Sequence, residues 1–371
     1  MNPGAAVVAL LGRRLNLPAG TDAIESYSTL LGEALTRQGW RTTLVQVPWD
    51  EIGWARALHQ LWRQSHHWSG HWVVVQYTAL HWSWRGLPLA FLALLSVLRH
   101  RGARVAIVFH DPTGYPGERL RHRVRRAWQH HVMRLAYRIS HLSVHTIPVE
   151  RVPWLPGNPH KAVLIPVGPN VPAFEDMPHD ASTVERRSGD RTIAVFCLRA
   201  GERTEAEEVS DIAYVAQRVA ERVPQLRIVV LGRSAENTSA LLQAALAPAH
   251  VDLAVTGVLP AEELSRRLIA ADALLFVRGA ISGGRTTAIA AIACGLPVVA
   301  YAGPQTGHPI TEAGVVVVAP GDRDGLATEL IRLLTDDSRW SAAHQRNLAA
   351  FHRYFSWDAI AARFAAAFAA A

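Results

Sequence analysis

The chain has 371 residues, with 49% hydrophobic side chains, 19% charged and 12 tryptophans; at about 150 residues per domain this gives roughly two domains with real cores and excludes intrinsic disorder. Its 38 Lys and Arg against 31 Asp and Glu leave a net charge of +7, and two cysteines, Cys197 and Cys294, exclude a disulfide framework or a cysteine zinc site and suit a reducing compartment. No apolar run reaches the ~18 residues of a membrane span, and Met1 to Leu11 lacks the basic start of a secretory signal.

Short apolar runs alternate with helical patterns along the chain. Ala5–Leu11, Thr42–Val47, Trp72–Tyr77, Arg104–Phe109, Leu142–Thr146 and Ala162–Val167 read as strands. Asp22, with Glu25 three positions on, predicts a capped helix after the first strand, closed by Gly39. Gly168-Pro-Asn-Val-Pro172 then breaks the chain, and Ala173 to Asp190 reads as a linker. A second series follows: Thr192–Cys197, Leu226–Leu231, Val251–Val255, Ala273–Val277, Pro297–Tyr301 and Gly314–Val318, with Pro260 opening a helix that ends near Ala270. Near-continuous apolar strands are buried on both faces of a parallel sheet, so the expectation is two doubly wound α/β domains, Rossmann-like, with a hinge near 168–190. No GxGxxG is present, so a dinucleotide cofactor has no sequence support.

Charge divides with the domains. Residues 1–180 carry 19 basic and 11 acidic side chains, a net of +8; residues 181–371 carry 19 and 20, a net of −1. The front half therefore expects an anionic partner. Within 118–139, Leu120, Val124, Trp128, Val132 and Leu135 form one helical stripe and seven arginines cover the rest. That pattern reads equally as a membrane-surface helix, with Arg121, Arg125 and Arg126 on anionic lipid, and as a core-packed helix with a solvated face. Nucleic acid is a distant third. His67 and His71 have the spacing of a metal pair but no third ligand nearby, so no metal is expected.

Ligands of open α/β sheets bind at strand carboxyl ends, often at a helix start. Ser282, Gly283, Gly284, Arg285, Thr286 and Thr287 follow one strand and precede a helix. The glycines admit a close backbone approach, and the helix start with Arg285 favours a phosphate; an ordinary glycine loop with a Ser cap is the bland alternative. Arg199 and Arg203 follow another strand and suit a pyrophosphate, unless Glu202 and Glu205 simply pair with them. His110 ends the strand Arg104–Phe109 and can donate a hydrogen bond or exchange a proton, or merely cap backbone groups.

The order of these features resembles the GT-B glycosyltransferases, in particular the retaining enzymes of glycosyltransferase family 4. The likeness is carried by Ile228-Val-Val-Leu-Gly232, Thr256-Gly257, Ala271-Asp272-Ala-Leu-Leu-Phe-Val277, Ala293-Cys-Gly-Leu-Pro-Val-Val299, Ile165-Pro-Val-Gly-Pro-Asn-Val-Pro172, the Gly20 loop, His110 and the tail Phe355-Ser-Trp-Asp358. The resemblance implies an acceptor domain over 1–168, completed by a returning helix 352–371, a hinge over 169–190 and a donor domain over 191–351. The two would face a central cleft. It implies transfer of a sugar from a nucleotide-diphosphate sugar to a hydroxyl of a lipid-linked or membrane-associated glycan, with retention, without metal or cofactor, in polysaccharide or glycoconjugate biosynthesis. The enzyme would be cytoplasmic and peripheral on the inner face of the membrane. It implies Arg199 and Arg203 on the diphosphate, Ser282 to Thr287 as the donor loop, His110 as the catalytic-site histidine, and Gly20 and Thr21 in the acceptor-side loop. One departure stands out. Ser282 and Ala290 occupy the positions of the family's two glutamates, which motivates a second expectation: a non-catalytic GT-B protein that binds a nucleotide sugar or supports a partner transferase. Nucleotide-sugar epimerisation is a third reading, for which no acid/base carboxylates are evident.

Overall fold

The computed structural model describes residues 6–13, 22–117, 119–177, 190–196, 202–232, 235–249 and 251–371. The side chains of 202–205 and 235–237 lie outside that description, as does that of 249. Twelve strands form two six-stranded sheets. The first contains β1 (Ala6–Leu11), β2 (Arg41–Gln46), β3 (Trp72–Tyr77), β4 (Arg104–Phe109), β5 (Leu142–His145) and β6 (Ala162–Leu164), in the order β2-β1-β3-β4-β5-β6. The second contains β7 (Asp190–Phe196), β8 (Gln225–Leu231), β9 (Asp252–Val255), β10 (Ala273–Phe276), β11 (Val298–Tyr301) and β12 (Val315–Val318), in the order β12-β11-β10-β7-β8-β9. Pairing is parallel throughout. Strand order therefore reverses between β1 and β3 in one sheet and between β7 and β10 in the other. These reversals leave crevices at the strand carboxyl ends.

The two α/β sheets expected from the alternating pattern are thus present, and differences are confined to edges. Burial explains both results. Central strands such as β3, β10 and β11 are buried along their whole length, so they read as near-continuous apolar runs, with Gln76 in β3 the one polar residue. β2 is an edge strand and is largely exposed or half-buried. β6 stops at Leu164, because Pro166 cannot donate to a ladder.

The chain divides into two compact units: Met1–Pro166 with Trp357–Ala371, and Val167–Ser356. In the first, the helix Ala23–Arg37 starts where the sequence signals it. Asp22 Oδ1 accepts from the N–H groups of Ile24 (2.9 Å) and Glu25 (3.3 Å). The helix Trp357–Ala370 buries Ile360, Phe364 and Phe368 in this unit. Phe368 stacks on Trp72 at 4.5 Å. In the second, Ile193, Val195, Ile228, Val230 and Leu275 of the sheet pack with Ile212, Val215 and Val219 of the helix Glu202–Ala220.

Candidate functional site

In the second unit the loop after β10 is assembled almost entirely by main chain. Gly279 sits at φ +74°, a left-handed conformation that favours glycine. Ile281 N–H then returns to the Tyr301 carbonyl at the end of β11 (3.0 Å). Thr306, from the loop after β11, braces the same turn. Its hydroxyl donates to the Ile281 carbonyl (2.6 Å) and accepts from Gly303 N–H (2.9 Å). Gly303 must be small, because a Cβ there would lie 2.2 Å from the Ala280 Cβ. Arg285 N–H donates to the Ser282 carbonyl (3.1 Å), and Gly283 accepts from Val167 N–H (3.1 Å).

The loop ends at the helix Thr286–Ala293, with Arg285 as its N-cap in an extended conformation and without a side-chain cap bond. A helix start of this kind offers N–H donors and the positive end of the backbone dipole. Ser282 and Thr287 are buried, Thr286 is half-buried and Arg285 is exposed. Arg278, two residues past the end of β10 and half-buried, was not singled out from sequence; a lone basic residue after a buried strand was the available signal. β7 is the sheet neighbour of β10, so the residues following both strands flank the order reversal. Arg199 lies in 197–201, outside the described residues. Arg203 is the second residue of the helix that follows β7, and its side chain is likewise not described.

In the first unit His110 directly follows β4. Its N–H donates to the Tyr77 carbonyl (3.1 Å), and its Nε2 lies 2.7 Å from Gln76 Oε1 on β3. The Tyr27 ring meets the imidazole edge-on at 4.9 Å. Burial, with repulsion from His81, pushes this imidazole down to about 3, so it is neutral at ordinary pH. A neutral imidazole with one nitrogen tied to an amide retains the other for hydrogen bonding or proton exchange. Gln76 and His81 are buried beside it and had no motif to reveal them. Gly12, at the end of β1, must lack a side chain, because a Cβ would lie 2.2 Å from the His81 carbonyl oxygen. Gly20 and Thr21 fall within 14–21, outside the described residues.

Other expectations change. The apolar stripe of the helix Leu120–Ile139 divides: Val132 is buried, but Leu120, Val124 and Trp128 are exposed. Of the three arginines assigned to lipid, Arg121 is exposed. Arg125 instead lies over the Tyr115 ring at 4.2 Å, and Arg126 Nη1 donates to the Gly117 carbonyl (3.3 Å). His67 ends a short 3₁₀ turn and His71 precedes β3, so their spacing is not that of a helical pair. Among the described residues, no helix is long and apolar enough to cross a membrane. A cavity of about 790 Å³ lies at the amino-terminal edge of the second sheet, lined by Thr192, Gln225 and Asp272 among others. The Ser282–Thr287 loop stands at the opposite end of the strands.

Residues 192–336 match the family described as glycosyl transferases group 1. The chain also resembles solved structures over nearly its whole length. Anabaena HepE in complex with UDP and glucose is 14% identical with a TM-score of 0.65, covering 99% of this chain and 100% of that one. Sucrose-phosphate synthase from Thermosynechococcus elongatus is 17% identical with a TM-score of 0.65 and the same coverage. WaaG, a glycosyltransferase involved in lipopolysaccharide biosynthesis, is 13% identical with a TM-score of 0.61, covering 97% and 98%. Against curated protein sequences there is no significant match. The fold is thus that of the GT-B structures, and the segment 192–336 matches the glycosyl transferases group 1 model. The group 1 domain lies within the second unit.

Proposed function

We propose that the chain transfers a sugar from a nucleotide-diphosphate sugar to a hydroxyl of a lipid-linked or membrane-associated glycan, as a step in polysaccharide or glycoconjugate biosynthesis. The observation that carries this is the Ser282–Thr287 loop, which ends in a helix start beside the strand-order reversal of the second sheet. The second unit takes the donor and the first takes the acceptor. Arg199, Arg203, Arg285 and the first N–H groups of the helix Thr286–Ala293 stabilise the charge that grows on the departing diphosphate, which makes a divalent metal unnecessary. Gly283 and Gly284 let the phosphates approach the main chain, with Ser282, Thr286 and Thr287 supplying hydroxyls. Neutral His110 hydrogen-bonds to the transferred sugar or the acceptor, and Gly20 and Thr21 border the acceptor. The anomeric configuration is retained. The structures of HepE with UDP and with UDP and glucose support a nucleotide-sugar donor. The enzyme works at the inner face of the membrane as a peripheral protein.

One observation favours a second reading, a nucleotide-sugar-binding protein without turnover. Ser282 and Ala290 are both buried, and on the resemblance drawn from the sequence they fall at the family's two glutamate positions. A calorimetric screen of UDP, GDP and ADP, alone and as their sugars, separates the cases. A nucleotide sugar that binds and releases its diphosphate in the presence of a glycolipid acceptor is the expected result. Binding without release supports the second reading, and no binding by any of them overturns both.

A further inference from the structure

Nine of the twelve large hydrophobic side chains exposed among the described residues lie in the first unit. Six of them fall on two adjoining elements. Trp84, Leu87 and Leu89 belong to the loop after β3, and are 64%, 45% and 51% exposed. Leu120, Val124 and Trp128 belong to the first turns of the helix Leu120–Ile139, and are 75%, 62% and 38% exposed. The two elements are tied together. Buried Gln129 donates through Nε2 to the Gly86 carbonyl (2.7 Å), and the Arg125 guanidinium packs so closely on Gly86 that a Cβ would lie 2.5 Å from it.

The loop is anchored at its start as well. Arg13 Nε donates to the Leu80 carbonyl (2.8 Å), and fully buried Trp82 donates to the Gln76 carbonyl (2.8 Å). Two residues further on, Trp84 points the other way, with the Arg13 guanidinium over its ring at 4.4 Å. A fixed loop that holds an indole and two leucines in water needs something to cover them.

The charges name the cover. Arg85, Arg119, Arg121 and Arg123 are exposed and directly flank the apolar side chains, Arg85 after Trp84, Arg119 and Arg121 on either side of Leu120, and Arg123 before Val124. Among the described residues, half-buried Asp50 is the one carboxylate that lines the same surface pocket as Trp84, Arg85 and Leu87. With four exposed arginines around these apolar side chains, the surface is cationic and matches an anionic layer. A lipid headgroup layer suits it. Arginine forks pair with phosphates while tryptophan and leucine enter the acyl boundary between them.

We propose that the loop Ala79–Leu89 and the first turns of the helix Leu120–Ile139 form one docking wedge for an anionic bilayer, with Trp84 as the inserted anchor. This rests on the reading of the acceptor as membrane-associated and adds the surface that meets the membrane. The loop follows the carboxyl end of β3, and the helix follows that of β4, as His110 does. Docking through both turns that end of the first sheet toward the headgroups, where the hydroxyl of a lipid-linked glycan lies.

The test is sedimentation of the full chain with vesicles of equal parts phosphatidylcholine and phosphatidylglycerol, and with phosphatidylcholine alone. Binding to the anionic vesicles only is expected. Trp84→Ser should weaken it by at least about tenfold. Arg121→Gln with Arg123→Gln should weaken it by about fivefold per arginine. Quenching of tryptophan emission by brominated lipid in the wild type should fall in Trp84→Ser. Calorimetric nucleotide affinity, read on each variant, reports that the fold is intact. Wild-type protein that ignores anionic vesicles, or variants that bind them as tightly as wild type, overturn the proposal. So does a dimer seen by light scattering that Trp84→Ser dissociates, since the cover is then a second copy. Vesicle binding without nucleotide binding would refute the sugar-transfer reading and leave this one standing.

Discussion

Arg285 occupies the N-cap position of the helix Thr286–Ala293, where its guanidinium, having no acceptor, cannot cap the helix N–H groups. Its value lies in its charge beside a helix start. Arg285→Ala and Arg203→Ala are each expected to weaken nucleoside-diphosphate binding by about 1–3 kcal/mol, the usual worth of a charged hydrogen bond. Titration calorimetry with UDP checks this, and wild-type affinity in both variants would remove these side chains from the site. Two imidazoles make a pH prediction. His110 and His145 are both pushed down to about 3 by burial, whereas an unfolded histidine titrates near 6.5. Below 6.5 the unfolded chain binds more protons than the folded one. The stability these groups confer is therefore complete above 6.5 and is lost as pH falls toward 3. The loss is about 1.4 kcal/mol per pH unit for each group. Denaturant unfolding at about pH 7 and about pH 5 measures it. His145→Phe, which keeps an aromatic ring on Phe109, should flatten the dependence, and an unchanged slope would remove His145 from the account. Activity should show no limb from His110 between pH 5 and 8.

At the scale of elements, the Ser282–Thr287 loop is a main-chain construction braced by its neighbour. Its motif was legible in Ser282 to Thr287 because glycines and a helix start have a local signature. The brace was not. Thr306 lies 25 positions from Ile281, and nothing near it announces that its hydroxyl meets that carbonyl. Thr306→Val keeps the shape but leaves the Ile281 carbonyl and Gly303 N–H without this partner. A loss of about 1–3 kcal/mol in stability is expected, with weaker nucleotide binding. Thermal unfolding and calorimetry would show it, and a variant as stable as wild type would mean that the loop stands alone. The helix Leu120–Ile139 gives the converse lesson. Its apolar stripe was visible in sequence, but periodicity does not say whether a stripe faces a core or water. Its last turns face a core and its first turns do not. Arg125 and Arg126, assigned to lipid by their charge, turn to Tyr115 and Gly117 of the same unit.

Over the whole molecule, the chain returns to its first unit for its last helix. Phe364 and Phe368 are almost completely buried, and Phe368 lies between Trp72 and Trp40, at 4.5 and 5.5 Å. Phe368→Ala should cost about 3–5 kcal/mol, as large-to-small changes in a core do. Calorimetric unfolding with and without a bound nucleotide shows which unit is affected. Destabilisation of the nucleotide-stabilised transition would mean that this helix supports the second unit instead.

The sequence by itself determined the two parallel sheets and the glycine loop Ser282–Thr287 ahead of a helix. Strands buried on both faces, prolines and glycine loops are all local in the chain. Only the tertiary structure decided that Gln76 meets His110, that Thr306 braces Ile281, and that Trp82 is buried while Trp84 is exposed. Each of those depends on which distant segment occupies the adjoining space, and residue type and spacing do not encode that locally.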